Sequence, residues 1–255
     1  MKNINFKKYK ANLEERSKKI PKRDDIVDDY NCPSCRDTTY ILNKDGLAYP
    51  CKCREKVLLE LRLKKSGMDN ILAGKTFSSY IVDSESLREA KTKSIDYCIK
   101  FIEDKEYNKS ILLCGNSGAG KSHLAAAIIT NLIENNIGCT YLDYIKFIAE
   151  ARQSKYDSDK YNKLITKYQD STILWVDDFL KGRIEPGDIN YVFELINYRY
   201  QKMKPMIITT EKKIEELFAY DEALASRIVE MCGGINGNII TFKDKYSNYR
   251  LRDYV

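Results

Sequence analysis

Five short apolar runs set the rhythm of the chain from about residue 76 onward: Ile111–Cys114, Cys139–Asp143, Ile173–Asp177, Met206–Thr210 and Ile239–Phe242. Each reads as a strand. Helical periodicity fills the intervals. After Gly187, for example, Ile189, Val192, Phe193, Ile196 and Tyr200 recur so as to share one helix face. Near-continuous apolar strands that alternate with amphipathic helices predict a parallel sheet covered by helices, an α/β fold.

The pattern before residue 70 is different. Phe6, Tyr9 and Leu13 repeat at helical spacing within a highly charged opening, until Pro21 and the acidic stretch Asp24–Asp29 interrupt them. Residues 54–66, REKVLLELRLKKS, read as a short basic amphipathic helix that Gly67 ends. Between these, residues 38–42 and 47–49 read as two short strands around the turn 43–46. The change of rhythm predicts a small N-terminal module, residues 1–70, and one larger domain, residues 71–255. The sequence has no internal repeat.

Chemistry enters at the end of the first long strand. Residues 115–122 read GNSGAGKS and match G-x-x-x-x-G-K-[ST] between a strand and the helical run Leu124–Ile129. Glycines here let the backbone approach a polyphosphate without a Cβ clash. The loop amides and the helix N-terminus make an anion site. Gly115, Asn116, Ser117, Gly118, Ala119, Gly120, Lys121, Ser122 and His123 are therefore the candidate nucleotide-binding residues. Lys121 reaches the β- and γ-phosphates, and Ser122 holds Mg²⁺. His123, the one histidine of the chain, reads as a packing or capping residue of the helix start. The strand Ile173–Val176 runs into two acids. Asp177 fits the Mg²⁺-holding carboxylate, and Asp178 fits the group that polarises the attacking water.

Cysteine usage adds a second site. The chain has eight cysteines. Its basic N-terminus lacks the apolar core of a signal peptide, and no apolar run nears the ~18 residues of a membrane span. A cytoplasmic protein with thiols or metal ligands is the expectation, with no membrane partner. Cys32 and Cys35 form a C-x2-C pair, and Cys51 and Cys53 a C-x-C pair. Four such thiolates predict tetrahedral structural zinc in a zinc-ribbon-like module. Cys98, Cys114, Cys139 and Cys232 lie in apolar patterns and read as core residues. The net charge of +6 permits nucleic-acid contact without demanding it.

The set LLCGNSGAGKSHLAAAI, LWVDDF, PMIITT, ASRIVEMC and NYR resembles the bacterial and phage replicative-helicase loaders of the DnaC/DnaI type, which are AAA+ ATPases. The likeness covers roughly residues 76–255, and CPSCRDTTYI…PCKC resembles the cysteine module of many such loaders. It implies an ATPase that uses ATP and Mg²⁺ and deposits the helicase on single-stranded DNA, and Asp178, shorter than the Glu often found in its place, points to slow or conditional hydrolysis. Lys121, Asp177 and Asp178 are the catalytic residues it implies. It further implies a phosphate-sensing residue at the end of the fourth strand, Thr210 or its neighbour Thr209. Arg227 becomes an arginine finger acting across a self-association interface. The N-terminal module grips the hexameric helicase, and Tyr144, Lys146 and Phe147 are candidate DNA contacts. Arg250 is either a second sensor or part of a basic tail. One departure stands out: Glu211 occupies the place where the pattern has Asn. Two alternatives remain open, a transposition-helper ATPase of the IstB type and a nucleotide-dependent DNA-binding regulator.

Overall fold

The computed structural model describes residues 30–43, 46–54, 57, 58, 61, 68–183 and 185–242. The expected Phe6–Leu13 face and Arg250 lie outside the described residues. So does most of the basic helix expected over 54–66, although Arg54, Val57, Leu58 and Leu61 are helical. Two compact units span residues 1–58 and 59–255.

The small unit is built on a hairpin. Strand β1 (Tyr40–Leu42) pairs antiparallel with β2 (Ala48–Pro50), with Ile41 opposite Tyr49. Local polar bonds close the turn. The Leu47 amide donates to Asn43 Oδ1 at 2.8 Å, and the Asn43 amide donates to the Leu47 carbonyl at 2.9 Å. The Arg54 guanidinium lies 4.2 Å from the centre of the Tyr40 ring, a cation–π contact. Every strand residue of the hairpin is exposed, so apolar burial is not what organises it.

The large unit holds the expected sheet. Its strands are β3 (Ile111–Gly115), β4 (Cys139–Asp143), β5 (Ile173–Phe179), β6 (Met206–Thr210) and β7 (Ile239–Phe242), ordered β4-β5-β6-β3-β7 and all parallel. Side chains alternate across it. Ile111, Leu113, Ile173, Trp175 and Ile207 face one core; Leu112, Cys114, Leu174, Val176, Met206 and Ile208 face the other. The first core is covered by α1 (Asp69–Leu72), α2 (Glu85–Glu103) and α3 (Lys121–Glu134). The second is covered by α4 (Tyr144–Gln153), α5 (Ser158–Asp170), α6 (Asp188–Gln201), α7 (Ile214–Tyr220) and α8 (Glu222–Met231). Met68 and Leu72 are buried in the first core, so packing of the large unit begins before residue 71.

On α6 the buried line runs through Asp188, Val192, Leu195, Ile196 and Arg199, while Ile189, Phe193 and Tyr200 form its rim. Arg199 is fully buried. Its guanidinium donates to the carbonyls of Tyr168 (2.8 Å), Ser171 (2.9 Å) and Pro205 (2.7 Å). Two of these lie at the end of α5, so one cation caps orphan carbonyls there and holds the segment leading into β6. Burial lowers the Arg199 pKa but leaves the group protonated at neutral pH.

Strand β5 carries a one-residue bulge. Val176 pairs with Ile208 but Phe179 pairs with Thr210, which places an extra residue opposite β6. Asp178 sits in the bulge with φ +54°. This extends β5 two residues past the expected end at Asp177.

Candidate nucleotide site

The loop between β3 and α3 begins at a close approach. A Cβ on Gly115 would lie 2.2 Å from the Phe242 carbonyl oxygen of β7. Gly115 also has φ +123°, so this position needs glycine for conformation and for space. Gly120 has φ +85°, and a Cβ there would meet the Tyr80 ring at 2.7 Å. The loop then wraps the start of α3. Lys121 is buried, and its ammonium donates to the carbonyls of Gly115 (2.9 Å) and Asn116 (2.6 Å). Burial lowers the Lys121 pKa, against the pull of the nearby Glu211 and Asp178 carboxylates.

Asp177, at the end of β5, gathers three hydroxyls. Ser122 Oγ donates to its Oδ1 at 2.9 Å, Thr209 Oγ1 donates to the same oxygen, and Tyr141 OH reaches Oδ2 at 3.4 Å. The Asp178 amide donates to Thr209 Oγ1 at 3.1 Å. Thr209 therefore ties both acids to β6. A cavity of about 400 Å³ brings together Ser117–His123, Asp177, Asp178, Lys75, Lys181 and Glu211. Ser122 and Asp177 side by side are the hard oxygen ligands that suit Mg²⁺, and the loop amides suit phosphate.

His123 is not aimed at phosphate chemistry. Its Nε2 contacts the Thr76 carbonyl (3.0 Å) and Ser79 Oγ (3.2 Å), and its ring stands edge-on to Tyr80. The packing role read from the sequence fits this placement. It pins the 76–80 segment to the start of α3.

Two sequence-based expectations are revised. Thr210 faces away from the acids: its hydroxyl is buried, donates to the Phe179 carbonyl at 2.7 Å and accepts from the Lys212 amide. Thr209 is the one beside Asp177. Tyr144 and Phe147 are core residues, at 3% and 1% exposure, so neither ring is free to stack on a base; only Lys146 and Ile145 of that turn are exposed. Arg227 is outside the cavity. It lies on α8 over the rings of Phe193 (4.9 Å) and Tyr200 (5.6 Å) and bonds Asn197 and the Ala223 carbonyl. Lys181 and Lys75 were missed altogether, since nothing in their local pattern marks them.

The cysteine cluster is a second candidate site. The sulfur atoms of Cys32, Cys35, Cys51 and Cys53 all lie within 4.8 Å of one another, with Cys32–Cys51 at 3.8 Å and Cys35–Cys53 at 3.3 Å. Thiolates ~2.3 Å from a tetrahedral zinc stand ~3.8 Å apart, so the donor set fits such an ion. The Cys35 amide lowers the Cys32 thiol to about 7, while the hydrogen bond to Cys35 pushes the Cys53 thiol up, so the four thiols share their protons as a cluster. Asp37 accepts from the Cys32 amide at 2.8 Å and fixes the first knuckle.

Fold and site together define a P-loop nucleotide-binding protein. The chain belongs to the IstB-like ATP binding protein family, whose model matches residues 54–246. It is 29% identical over 198 residues to the uncharacterized protein YqaM of Bacillus subtilis, covering 74% of this chain and 62% of that one. It is 26% identical over 216 residues to the phage-like element PBSX protein XkdC of the same species, covering 80% of each. Among solved structures, the DnaC helicase loader matches with TM-score 0.58 and 23% identity, covering 68% of this chain and 98% of that one. That last likeness is one of fold. No helix among the described residues is long and apolar enough to cross a membrane.

Proposed function

We propose that this chain is an ATP-dependent loader that binds the replicative DNA helicase and deposits it on single-stranded DNA. One conjunction carries the reading. A complete P-loop site sits on a fold shared with nearly the whole DnaC loader chain, and a four-cysteine hairpin precedes it, outside the matched residues 54–246. Residues 1–70 hold one structural zinc through Cys32, Cys35, Cys51 and Cys53 and grip the helicase hexamer. Residues 71–255 bind ATP and single-stranded DNA and self-associate.

In this mechanism Lys121 exchanges its bonds to the Gly115 and Asn116 carbonyls for β- and γ-phosphate oxygens. Ser122 and Asp177 are the residues that would hold Mg²⁺, which would supply charge neutralisation for the phosphates. Asp178 orients a water for in-line attack on the γ-phosphorus, and ADP and phosphate leave. Arg227 of a neighbouring subunit stabilises the charge that develops. Thr209 senses the terminal phosphate through the bonds it makes to both acids.

The test is MgATP turnover with and without single-stranded DNA, together with capture of the cognate hexameric helicase. Turnover should be slow, should respond to DNA, and should vanish in Lys121→Ala, while the parent captures the helicase. Capture of a transposase instead would favour the transposition-helper reading, which the IstB-like family match supports. Absence of turnover under every condition would favour a regulator that uses nucleotide only structurally.

A further inference from the structure

Lys181 lies just past β5, on the wall of the same cavity as Lys121. Its ammonium donates to Asp178 Oδ2 at 3.0 Å and lies 3.2 Å from Glu211 Oε1. Glu211, just past β6, lines the same cavity as Ser117 of the phosphate loop. One cation therefore bridges two carboxylates on that wall: Glu211, Lys181, Asp178. Burial works against the charge on Lys181, but the two carboxylates more than offset it and the group stays protonated. The side chains of Lys181, Asp178 and Glu211 are each only about a third exposed, which leaves the contacts less screened than a surface pair.

The arrangement solves a problem set by the bulge. Asp178 hangs from an irregular backbone, so β-sheet pairing alone does not fix its carboxylate. Lys181 takes Oδ2 and leaves the lone pairs of Oδ1 for a water. Without that cation, Asp178 and Glu211 would repel each other with no direct ion pair to either carboxylate. Glu211 thus has a use that the Asn of the loader pattern could not supply, because only a carboxylate neutralises the second half of Lys181.

We propose that Lys181 and Glu211 are positioning residues for hydrolysis: they tie Asp178 to the segment after β6 in the nucleotide cavity, so the water-orienting carboxylate keeps one geometry. This rests on the reading of Asp178 as the water-orienting acid. Small errors in such geometry cost rate far more than affinity.

The experiment compares kcat and KM for MgATP in the parent, Lys181→Met, Lys181→Arg, Asp178→Asn and the Lys181→Met/Asp178→Asn double variant. Affinity for a fluorescent ADP analogue is measured in each, which also reports folding. Lys181→Met should lose about tenfold or more in kcat with ADP affinity and KM little changed, and Lys181→Arg should recover most of it. The double variant should be no slower than Asp178→Asn alone, because Lys181 acts through Asp178. Parental kcat in Lys181→Met beside an inactive Asp178→Asn would overturn the proposal. So would losses that multiply in the double variant, or a loss of ADP affinity matching the loss of kcat, since either marks a direct phosphate contact. A parent without turnover, or Asp178→Asn at the parental rate, would instead overturn the underlying assignment of Asp178, and this inference with it.

Discussion

In the hairpin of β1 and β2 all three residues of each strand are exposed, and four thiols converge beside it. In β3 all five residues are buried, and both faces of its sheet carry an apolar core. The small unit has a donor set where the large one has a core. A segment of this size cannot remove enough apolar surface from water to offset its chain entropy, and a metal held by the four thiols would make up the difference. The large unit buries whole Leu and Ile side chains, each contributing roughly 1.5–3 kcal/mol. Their stabilities should therefore answer to different perturbations.

The largest expected effect is metal removal. Chelation, or Cys35→Ser, should unfold the hairpin, since structural zinc supplies on the order of 10 kcal/mol in comparable modules. The main melting transition of the large unit should stay where it was. Metal analysis of the purified protein should give one zinc per chain. A zinc content near zero in protein never exposed to chelator would break the comparison.

Next comes Arg199→Ala. The guanidinium donates to the carbonyls of Tyr168, Ser171 and Pro205, and its loss leaves buried acceptors unpaired. Denaturant unfolding should show a loss of about 3–5 kcal/mol in the large unit. Zinc content should not change. An equal loss in the small unit would mean that the two do not fold independently.

The smallest effect on folding is expected at Arg227. Its contacts with Phe193 and Tyr200 are half-exposed, so Arg227→Ala should cost about 0.5–1 kcal/mol. ATP binding by the isolated chain should survive while cooperative turnover falls. Mixing Arg227→Ala with Lys121→Ala protein should restore part of the activity. No recovery at any ratio, with both proteins folded and co-assembling, would remove the composite-site role.

The strands and the P-loop were legible because each is a local pattern. An apolar run of four or five residues reports burial whatever lies beside it. The choice between Thr209 and Thr210 needed one more step. Ile207 and Trp175 are paired and face the core that contains α3. By alternation Thr209 shares that face with Asp177, and Thr210 does not. Tyr144 and Phe147 were misread because aromatic residues after a strand fit a DNA platform and a helix–sheet core equally well. Burial distinguishes them, and burial is a property of the whole fold. Lys181 was invisible for a related reason: its partner Glu211 follows another strand, 30 residues along the chain.

The left-handed backbone at Asp178 carries a consequence for sequence comparison. A residue with φ near +54° is tolerated by Gly, Asn and Asp, whose short side chains bond locally, and resisted by longer or branched ones. The length of the acid and the bulge beneath it should therefore change together. Among relatives that keep this bulge, a Glu in its place should be rare for steric reasons that have nothing to do with reactivity. Lineages that carry Glu should be found to have lost the extra residue, so that the alignment gap and the amino-acid exchange travel together.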